Sequence, residues 1–231
     1  MLKLINLEIK KFKLWHYWKA VSICNIAFIA LLSMMFFIEI DGEKIIPFES
    51  FDMAVSIIGA MVRTTFTIFA SVIIVKLIID EFRNKSIDVL FTYPIKRKKI
   101  ISAKLTIVFV FTFVNVLFST LYLDGLVHLA DVNFNILPGA IELEDISRHL
   151  LTAFMNAIAT AGISLIPLFF GMHRKSSPAT IVSSILIATI LNSTSEDFTL
   201  FSIIAVPLSL GLIGLYIGYY SIRNIEKKDL V

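Results

Sequence analysis

The feature that most constrains this chain is a series of long apolar stretches, separated by short charged segments, along all 231 residues. A bilayer-spanning helix needs about 20 mostly apolar residues, because its backbone must satisfy its own hydrogen bonds in lipid. The stretches that fit cover residues 18–38, 53–79 (starting anywhere from 53 to 61), 101–122, 150–170, 179–191 and 200–220. Apolar residue types make up 57% of the chain, more than a water-soluble core requires. We therefore predict an all-α integral membrane protein, with six transmembrane helices in a single transmembrane domain over residues 1–231.

The distribution of basic residues predicts the orientation of these helices. With both termini cytoplasmic, 18 of the 21 Lys and Arg residues lie at cytoplasmic ends or loops, the three exceptions being Lys44, Arg63 and Arg148. Lys and Arg near the ends of spans are retained on the cytoplasmic side. The acidic segment 124–147, which contains a Pro-Gly breaker, is therefore expected to be extracellular.

Residues 1–15 predict an amphipathic helix that lies in the membrane interface. Apolar side chains recur at helical spacing on one face, at Leu2, Ile5, Ile9 and Phe12. Lysines dominate the other face, and Trp15 and Trp18 would anchor the start of the first span among the headgroups. The alternative is a basic N-terminal extension without this interfacial role.

Residues 80–99, between the second and third spans, combine basic charge with an apolar run. The segment carries six of the 21 basic residues, so it is expected to be cytoplasmic. The apolar run within it consists of Ile87, Val89, Leu90 and Phe91, and is closed by Pro94. Burying such a run in a partner's groove would contribute a few kcal/mol at roughly 25 cal/mol per Å², with Glu81 and Arg83 adding charge pairs at the rim. The alternative is a solvated loop whose apolar residues rest on the bilayer surface.

The chain lacks the motifs of several functional classes. It has no Gly-x-x-x-x-Gly-Lys-Ser/Thr loop, no Gly-x-Ser-x-Gly turn, and its four histidines show no metal-ligand spacing. The predicted spans hold almost no Asp or Glu, which disfavours an ion-coupled carrier. We expect no catalytic residues, no metal site, no cofactor bound by this chain and no nucleic-acid partner. Energy for any work would then come from another protein.

After the second span the chain reads Glu81-Phe82-Arg83-Asn84-Lys85-Ser86, followed by Leu90, Tyr93-Pro94-Ile95 and Lys98-Lys99. This pattern resembles the ABC-2 type permeases, the membrane subunits of ATP-binding-cassette exporters. Their segment begins acidic-aromatic-Arg, continues through a Gly or Lys, a small hydroxyl residue and a Leu-rich turn, and ends in Pro and a basic patch. Lys85 stands where Gly is common in the family, and Phe91-Thr92-Tyr93 replaces the more usual Leu-Ser-x.

The resemblance implies that residues 80–99 form a coupling helix seated in a groove of a cytoplasmic ABC ATPase, which binds ATP and Mg. The coupling residues would be Glu81, Phe82, Arg83, Asn84, Lys85, Ser86, Ile87, Leu90, Phe91 and Pro94. Six spans make half a transporter, so a second permease chain, identical or homologous, and two ATPase subunits are implied. Small permeases of this type resemble exporters of hydrophobic or amphipathic peptides in the bacterial cytoplasmic membrane, with drugs or lipid-linked glycans as other cargo.

Small polar residues form stripes at helical spacing within three predicted spans. The stripes are Thr64, Thr67 and Ser71; Thr112, Asn115 and Ser119; and Asn156, Thr160 and Ser164. Each stripe is compatible with a path for an amphipathic substrate, or with hydrogen bonds between helices. Gly214 and Gly218, which are four residues apart, predict a close helix contact.

Arg63 is the most unusual residue of the predicted spans. If the second span begins near Met53, Arg63 lies about 15 Å deep and needs a wet cavity or a partner. If the span begins near Met61, Arg63 reaches back to the interface. Both positions fit the sequence, and Arg63 joins the stripe residues as a candidate for the translocation path.

Two classes of function fit these features. One is an exporter permease, and the other is a non-transporting membrane sensor or adaptor that docks a signalling protein through residues 80–99. ATP turnover that responds to substrate would distinguish the first from the second.

Overall fold

The computed structural model describes residues 2–13, 15–36, 39–40, 43–44, 51–84, 97–134, 143–192, 194–195, 198–199, 201 and 205–224. Its helices are α1 (Leu2–Lys11), α2 (Trp15–Phe36), α3 (Phe51–Ile74), a π-helical turn (Val75–Ile79), α4 (Asp80–Arg83), α5 (Arg97–Phe134), α6 (Leu143–Ile163), α7 (Pro167–Arg174), α8 (Ser177–Leu191) and α9 (Ala205–Asn224). Two antiparallel pairs of two-residue strands join helices: β1 (Glu39–Ile40) with β2 (Glu43–Lys44), and β3 (Thr194–Ser195) with β4 (Phe198–Thr199).

The predicted all-helical class is confirmed, apart from these two short strand pairs. Within the described residues, four helical stretches are long and apolar enough to cross a membrane: Trp15–Met35, Phe51–Arg83, Lys98–Asn133 and Ser147–Arg174. Two shorter apolar helices cover Ser177–Leu191 and Ala205–Ser221. Six spans and cytoplasmic termini stay predictions.

The helices group around two apolar clusters that lie at opposite ends of the bundle. The first surrounds the π-helical turn and includes Ile78, Ile101 and Leu168. Helices α1 and α4, the start of α5 and the α7–α8 turn meet at this cluster. Because these elements are rich in Lys and Arg, we call this end of the bundle the basic end. The second cluster includes Phe28 and Val62 and lies toward the start of α3. We call that end of the bundle the acidic end. Much of α2 is outside both clusters and exposes apolar side chains.

The third span is longer than predicted. Helix α5 continues to Phe134, twelve residues past the expected end at Tyr122 and about 18 Å farther at 1.5 Å per residue. Leu123, Val127 and Asp131 are buried at a spacing of four, so they extend the packed face of the helix. Residues 124–134, expected in the outer segment 124–147, therefore continue the helix, and 143–147 begin α6.

Helices α6 and α9 touch through their backbones. A Cβ added to Gly162 would lie 2.7 Å from the Cα of Gly211, and one added to Gly214 would overlap the Gly162 carbonyl oxygen. Gly218 has only ordinary contacts, with Leu105 Cδ1 at 3.5 Å. The close contact predicted at Gly214 is confirmed, and Gly162 and Gly211 complete it.

Two prolines shape the turn between the fourth and fifth apolar helices. Pro167 has no amide hydrogen to continue α6, and the amides of Leu165 and Ile166 bond three residues back instead of four, to Gly162 and Ile163. Pro178 lies in the first turn of α8, where a missing amide hydrogen costs little. Together they bring Ser177 to the basic end.

Candidate functional site

Helix α1 packs against the protein through the face that the sequence predicted to be apolar. Ile5, Ile9 and Phe12 lie on the cluster around the π-helical turn, while Lys10 points to solvent. The chain then reverses at Lys13, which adopts a left-handed φ of 49°, and the His16 amide donates to the Lys13 carbonyl oxygen at 3.0 Å. This turn fixes α1 beside α3 and α5 at the basic end.

The helix that contains α3 widens into a π turn immediately before residues 80–84. Over Val75–Ile79 the backbone is π-helical, and the Asp80 amide donates five residues back to the Val75 carbonyl oxygen. Single π turns inside α-helices often occur at functional sites. Here the turn presents the Leu77 carbonyl oxygen to Lys104 Nζ, 2.8 Å away on α5.

Four charged side chains meet beside this turn, and we call them the charge junction: Glu8, Lys11, Glu81 and Lys104. Lys104 is fully buried, with Nζ 2.5 Å from Glu81 Oε2 and 3.6 Å from Glu8 Oε2. The other Glu81 oxygen, Oε1, accepts from Lys11 Nζ at 2.7 Å. Glu8, Glu81 and Lys104 are buried and Lys11 is about half exposed. The two carboxylates and two ammonium groups balance formally, which offsets part of the several kcal/mol that burying each of the three charges costs. The junction joins α1, α4 and α5.

A second set of polar contacts joins α4 to the start of α8. The Ser177 hydroxyl donates to Asp80 Oδ1 at 2.9 Å and accepts from Arg83 Nη1 at 3.1 Å. Arg83 Nη2 lies 3.3 Å from the same Asp80 oxygen. Each exposed contact of this kind is worth about 1 kcal/mol or less, so the set orients α4 more than it stabilises it.

The structure places four of the predicted coupling residues. Glu81 is 5% exposed and takes its ion-pair partners within the chain, instead of lying at a rim open to another protein. Phe82 packs partly on the core, and Arg83 and Asn84 are exposed. The other six lie outside the described residues: Lys85, Ser86, Ile87, Leu90, Phe91 and Pro94. The coupling role of the segment stays a prediction.

Three members of the charge junction were not predicted from the sequence: Glu8, Lys11 and Lys104. A signal for Lys104 was present, because a lysine one turn inside an apolar span is costly unless it is paired. Glu8 is the sole acidic residue among the lysines of the N-terminal helix. A lone acidic residue among lysines and a lysine inside an apolar span each need an oppositely charged partner, so the two together indicate an ion pair.

Arg63 lies inside the bundle. Helix α3 begins at Phe51, so Arg63 is twelve residues, or about 18 Å, from its start and corresponds to the deep alternative. Its Nη2 donates to Asn192 Oδ1 at 3.3 Å, and its guanidinium carbon lies 4.0 Å from the centre of the Phe201 ring. Asn192 also donates to Thr64 Oγ1 at 2.9 Å. No ion pair between Arg63 and a carboxylate is present in the described part of the chain.

The polar stripe of α3 faces α8. Ser71 accepts a hydrogen bond from Ser184 at 2.9 Å, and Thr64 is bonded to Asn192 as above. Thr67, between them, is buried. Hydrogen bonding between helices therefore accounts for two residues of this stripe, and its role in a translocation path stays a prediction.

The stripes of α5 and α6 bond mainly within their own helices. Thr112 and Asn115 donate to carbonyl oxygens four residues back, at 2.8 and 2.7 Å, and Thr160 donates to the Asn156 carbonyl oxygen at 2.7 Å. Ser119 is fully buried, and its hydroxyl has no partner among the described residues. Thr112 and Thr160 are satisfied locally, which fits packing as well as a polar path, whereas Asn115 Oδ1, like the Ser119 hydroxyl, has no partner among the described residues.

Comparisons with known proteins bear on this arrangement. The sequence pattern of a family described as ABC-2 family transporter protein matches residues 4–192, which include the whole charge junction and Arg63. The chain is 39% identical, over 229 residues, to the uncharacterized protein YcbO of Bacillus subtilis (strain 168), covering 99% of this chain and 100% of that protein. No solved structure matches the chain.

Proposed function

Because the chain belongs to the ABC-2 family of transporter membrane proteins, we propose that it is the permease subunit of an exporter driven by a separate ATPase. The ATP and Mg would be bound by that cytoplasmic subunit, since the chain has no phosphate-binding loop of its own. The relative in Bacillus subtilis supports a place in the bacterial cytoplasmic membrane.

The observation that carries this proposal is the attachment of residues 80–84 to three helices at once. Glu81 contacts α1 and α5 through Lys11 and Lys104, and Asp80 contacts the start of α8 through Ser177. A partner that moved the following segment would therefore displace these helices together. Coupling of this kind is reciprocal for binding, so a bound substrate would change the affinity for nucleotide.

Within this proposal the acidic and apolar residues of the segment have different roles. Ile87, Leu90 and Phe91 would enter the groove of the ATPase, while Glu81 holds the beginning of the segment inside the permease. Arg83 and Asn84, which are exposed, remain able to contact the partner.

The complex would contain two permease chains, identical or homologous, and two ATPase subunits. As cargo we propose a hydrophobic or amphipathic peptide, such as a peptide toxin or antimicrobial peptide. The phenylalanine-rich spans, from a chain with 20 Phe residues, support an apolar cargo.

The first experiment is a tagged purification in mild detergent with identification of each co-eluting chain by mass. We expect a stoichiometric protein that carries a Gly-x-x-x-x-Gly-Lys-Ser/Thr loop. A signalling protein in its place would contradict the exporter and favour the sensor.

A second experiment tests the docking residues. Leu90→Asp should abolish co-purification of the ATPase, because a charge replaces an apolar contact in a buried groove. The control, Lys3→Asp, introduces the same side chain at an exposed position of α1, outside the segment 80–99, and should retain the partner. Equal retention by both variants would contradict the docking role of Leu90.

A third experiment tests the cargo in the reconstituted complex. A synthetic amphipathic peptide should stimulate ATP hydrolysis, whereas a polar peptide of equal length and equal net charge should not. Equal responses would contradict a peptide cargo of this class.

A further inference from the structure

A cleft of about 520 Å³ lies at the basic end, where the α1–α2 turn faces α3. Lys13 and His16 line it from the turn, Lys76 lines it from the π-helical turn, and the rings of Phe12 and Tyr17 form its walls. Lys11, a member of the charge junction, reaches its edge. None of the lining residues that the structure describes is acidic.

The cleft has an excess of positive charge. Lys11 is balanced by Glu81 at 2.7 Å. Lys13, His16 and Lys76 form no ion pair with a carboxylate of the described residues. Three neighbouring basic side chains around a concave surface favour an anionic group with several acceptor oxygens.

Aromatic residues surround this cleft. Lys76 Nζ lies 5.2 Å from the centre of the Tyr17 ring, a cation–π distance. Trp15 and Trp18, on the same turn, are exposed. Exposed Trp and Tyr residues are typical of the membrane interface.

Exposed apolar side chains also lie near the cleft in sequence, on α2 and α3. Val72, one turn before Lys76 on α3, is exposed, and so are Ile23 and Ile26, just beyond Ala20 at the cleft. A soluble phosphate would contact only the basic residues, whereas a phospholipid would use both surfaces.

We propose that this cleft binds the phosphate headgroup of an anionic phospholipid in the cytoplasmic leaflet, with its acyl chains along α2 and α3. The cytoplasmic leaflet is rich in anionic lipids, and basic pockets between spans on that side bind such headgroups. None of the cleft residues named above is among the proposed coupling residues, so this proposal can be tested without the ATPase or the cargo.

The test compares two double variants of the full-length protein in neutral detergent by native mass spectrometry. Phosphatidylglycerol and phosphatidylcholine with identical acyl chains are offered to each. Lys13→Gln with Lys76→Gln should weaken phosphatidylglycerol binding by about fivefold per lysine removed. Lys3→Gln with Lys10→Gln removes the same charge from exposed positions of α1 outside the cleft, and should bind like the unmodified chain.

Three results would overturn the proposal. The first is equal phosphatidylglycerol binding by the two double variants, and the second is equal binding of phosphatidylcholine and phosphatidylglycerol by the unmodified chain. The third is displacement of the lipid by inorganic phosphate at equal concentration, which would identify a site for soluble phosphate. Helical circular dichroism of each variant checks that a loss of binding does not reflect unfolding.

Discussion

Lys104 and Arg63 are both buried within the helix bundle, yet their surroundings differ. Lys104, at the basic end, contacts two carboxylates and a carbonyl oxygen. Arg63, toward the acidic end, contacts one amide oxygen and one aromatic ring, and its Nε has no partner among the described residues. Among the described residues, Lys104 is paired with carboxylates and Arg63 is not.

This difference separates a structural role from a candidate functional one. A neutralised buried pair is costly to break from one side, so Lys104 holds α1, α4 and α5 in a defined arrangement. An arginine without a carboxylate inside a membrane protein is expected to face a cavity or to await a partner. Arg63 is therefore the stronger candidate for contact with cargo, and Lys104 for transmission of movement.

The largest expected effect follows from Lys104→Met. This change leaves Glu81 and Glu8 without their buried cation, so the free energy of unfolding should fall by about 3–5 kcal/mol. Titration with SDS in mixed micelles, followed by helical circular dichroism, measures this. Lys99→Met, at an exposed position of the same helix, is the control.

The origin of that effect is tested by adding Glu81→Gln to Lys104→Met. In the Lys104→Met background, the loss in free energy of unfolding caused by Glu81→Gln should be smaller by at least about 1.5 kcal/mol than in the unmodified chain, because Glu81 has already lost Lys104 as its ionic partner. Strict additivity of the two changes would contradict the ion pair.

A substitution at a close helix contact, with an intermediate expected loss of stability, tests whether other core contacts matter as much to stability as the charge junction does. Gly214→Ala pushes a methyl group into the Gly162 carbonyl oxygen, so we expect a loss of about 1–3 kcal/mol. Gly125→Ala, where a Cβ meets nothing within 4 Å, should leave stability unchanged or raise it by up to about 1 kcal/mol. Equal effects of the two substitutions would contradict the close α6–α9 contact.

The two cations also show which features of the structure could be predicted from the sequence and which could not. Periodicity predicted the helices and the apolar face of α1, because each depends on residues within a few turns. The Glu81–Lys104 pair joins positions 23 apart, and its formation depends on how α3 packs against α5. The depth of Arg63 depended on where α3 begins, and the mostly apolar sequence of residues 53–61 leaves that start open.

Arg63→Met should change stability by about 1 kcal/mol or less, since no carboxylate of the described residues loses its partner and interhelical hydrogen bonds in membranes are weak. Its effect should instead appear in function, as lower stimulation of ATP hydrolysis by cargo in the reconstituted complex. Thr189→Ala on α8, whose exposed hydroxyl bonds only to its own helix, is the control for both measurements. A loss of stability as large as that of Lys104→Met would remove the distinction between the two cations.

The smallest expected effect concerns the exposed contacts beside the charge junction. Ser177→Ala removes the hydroxyl that links Asp80 and Arg83 to α8, and should cost about 0.5 kcal/mol. Ser209→Ala, which removes an exposed hydroxyl bonded only to the carbonyl oxygen of Val206, is the matched control. If α8 follows the coupling segment through this link, Ser177→Ala should reduce coupled ATP hydrolysis more than its small loss of stability explains. Identical turnover in the two serine variants would show that movement reaches the helices through the buried junction alone.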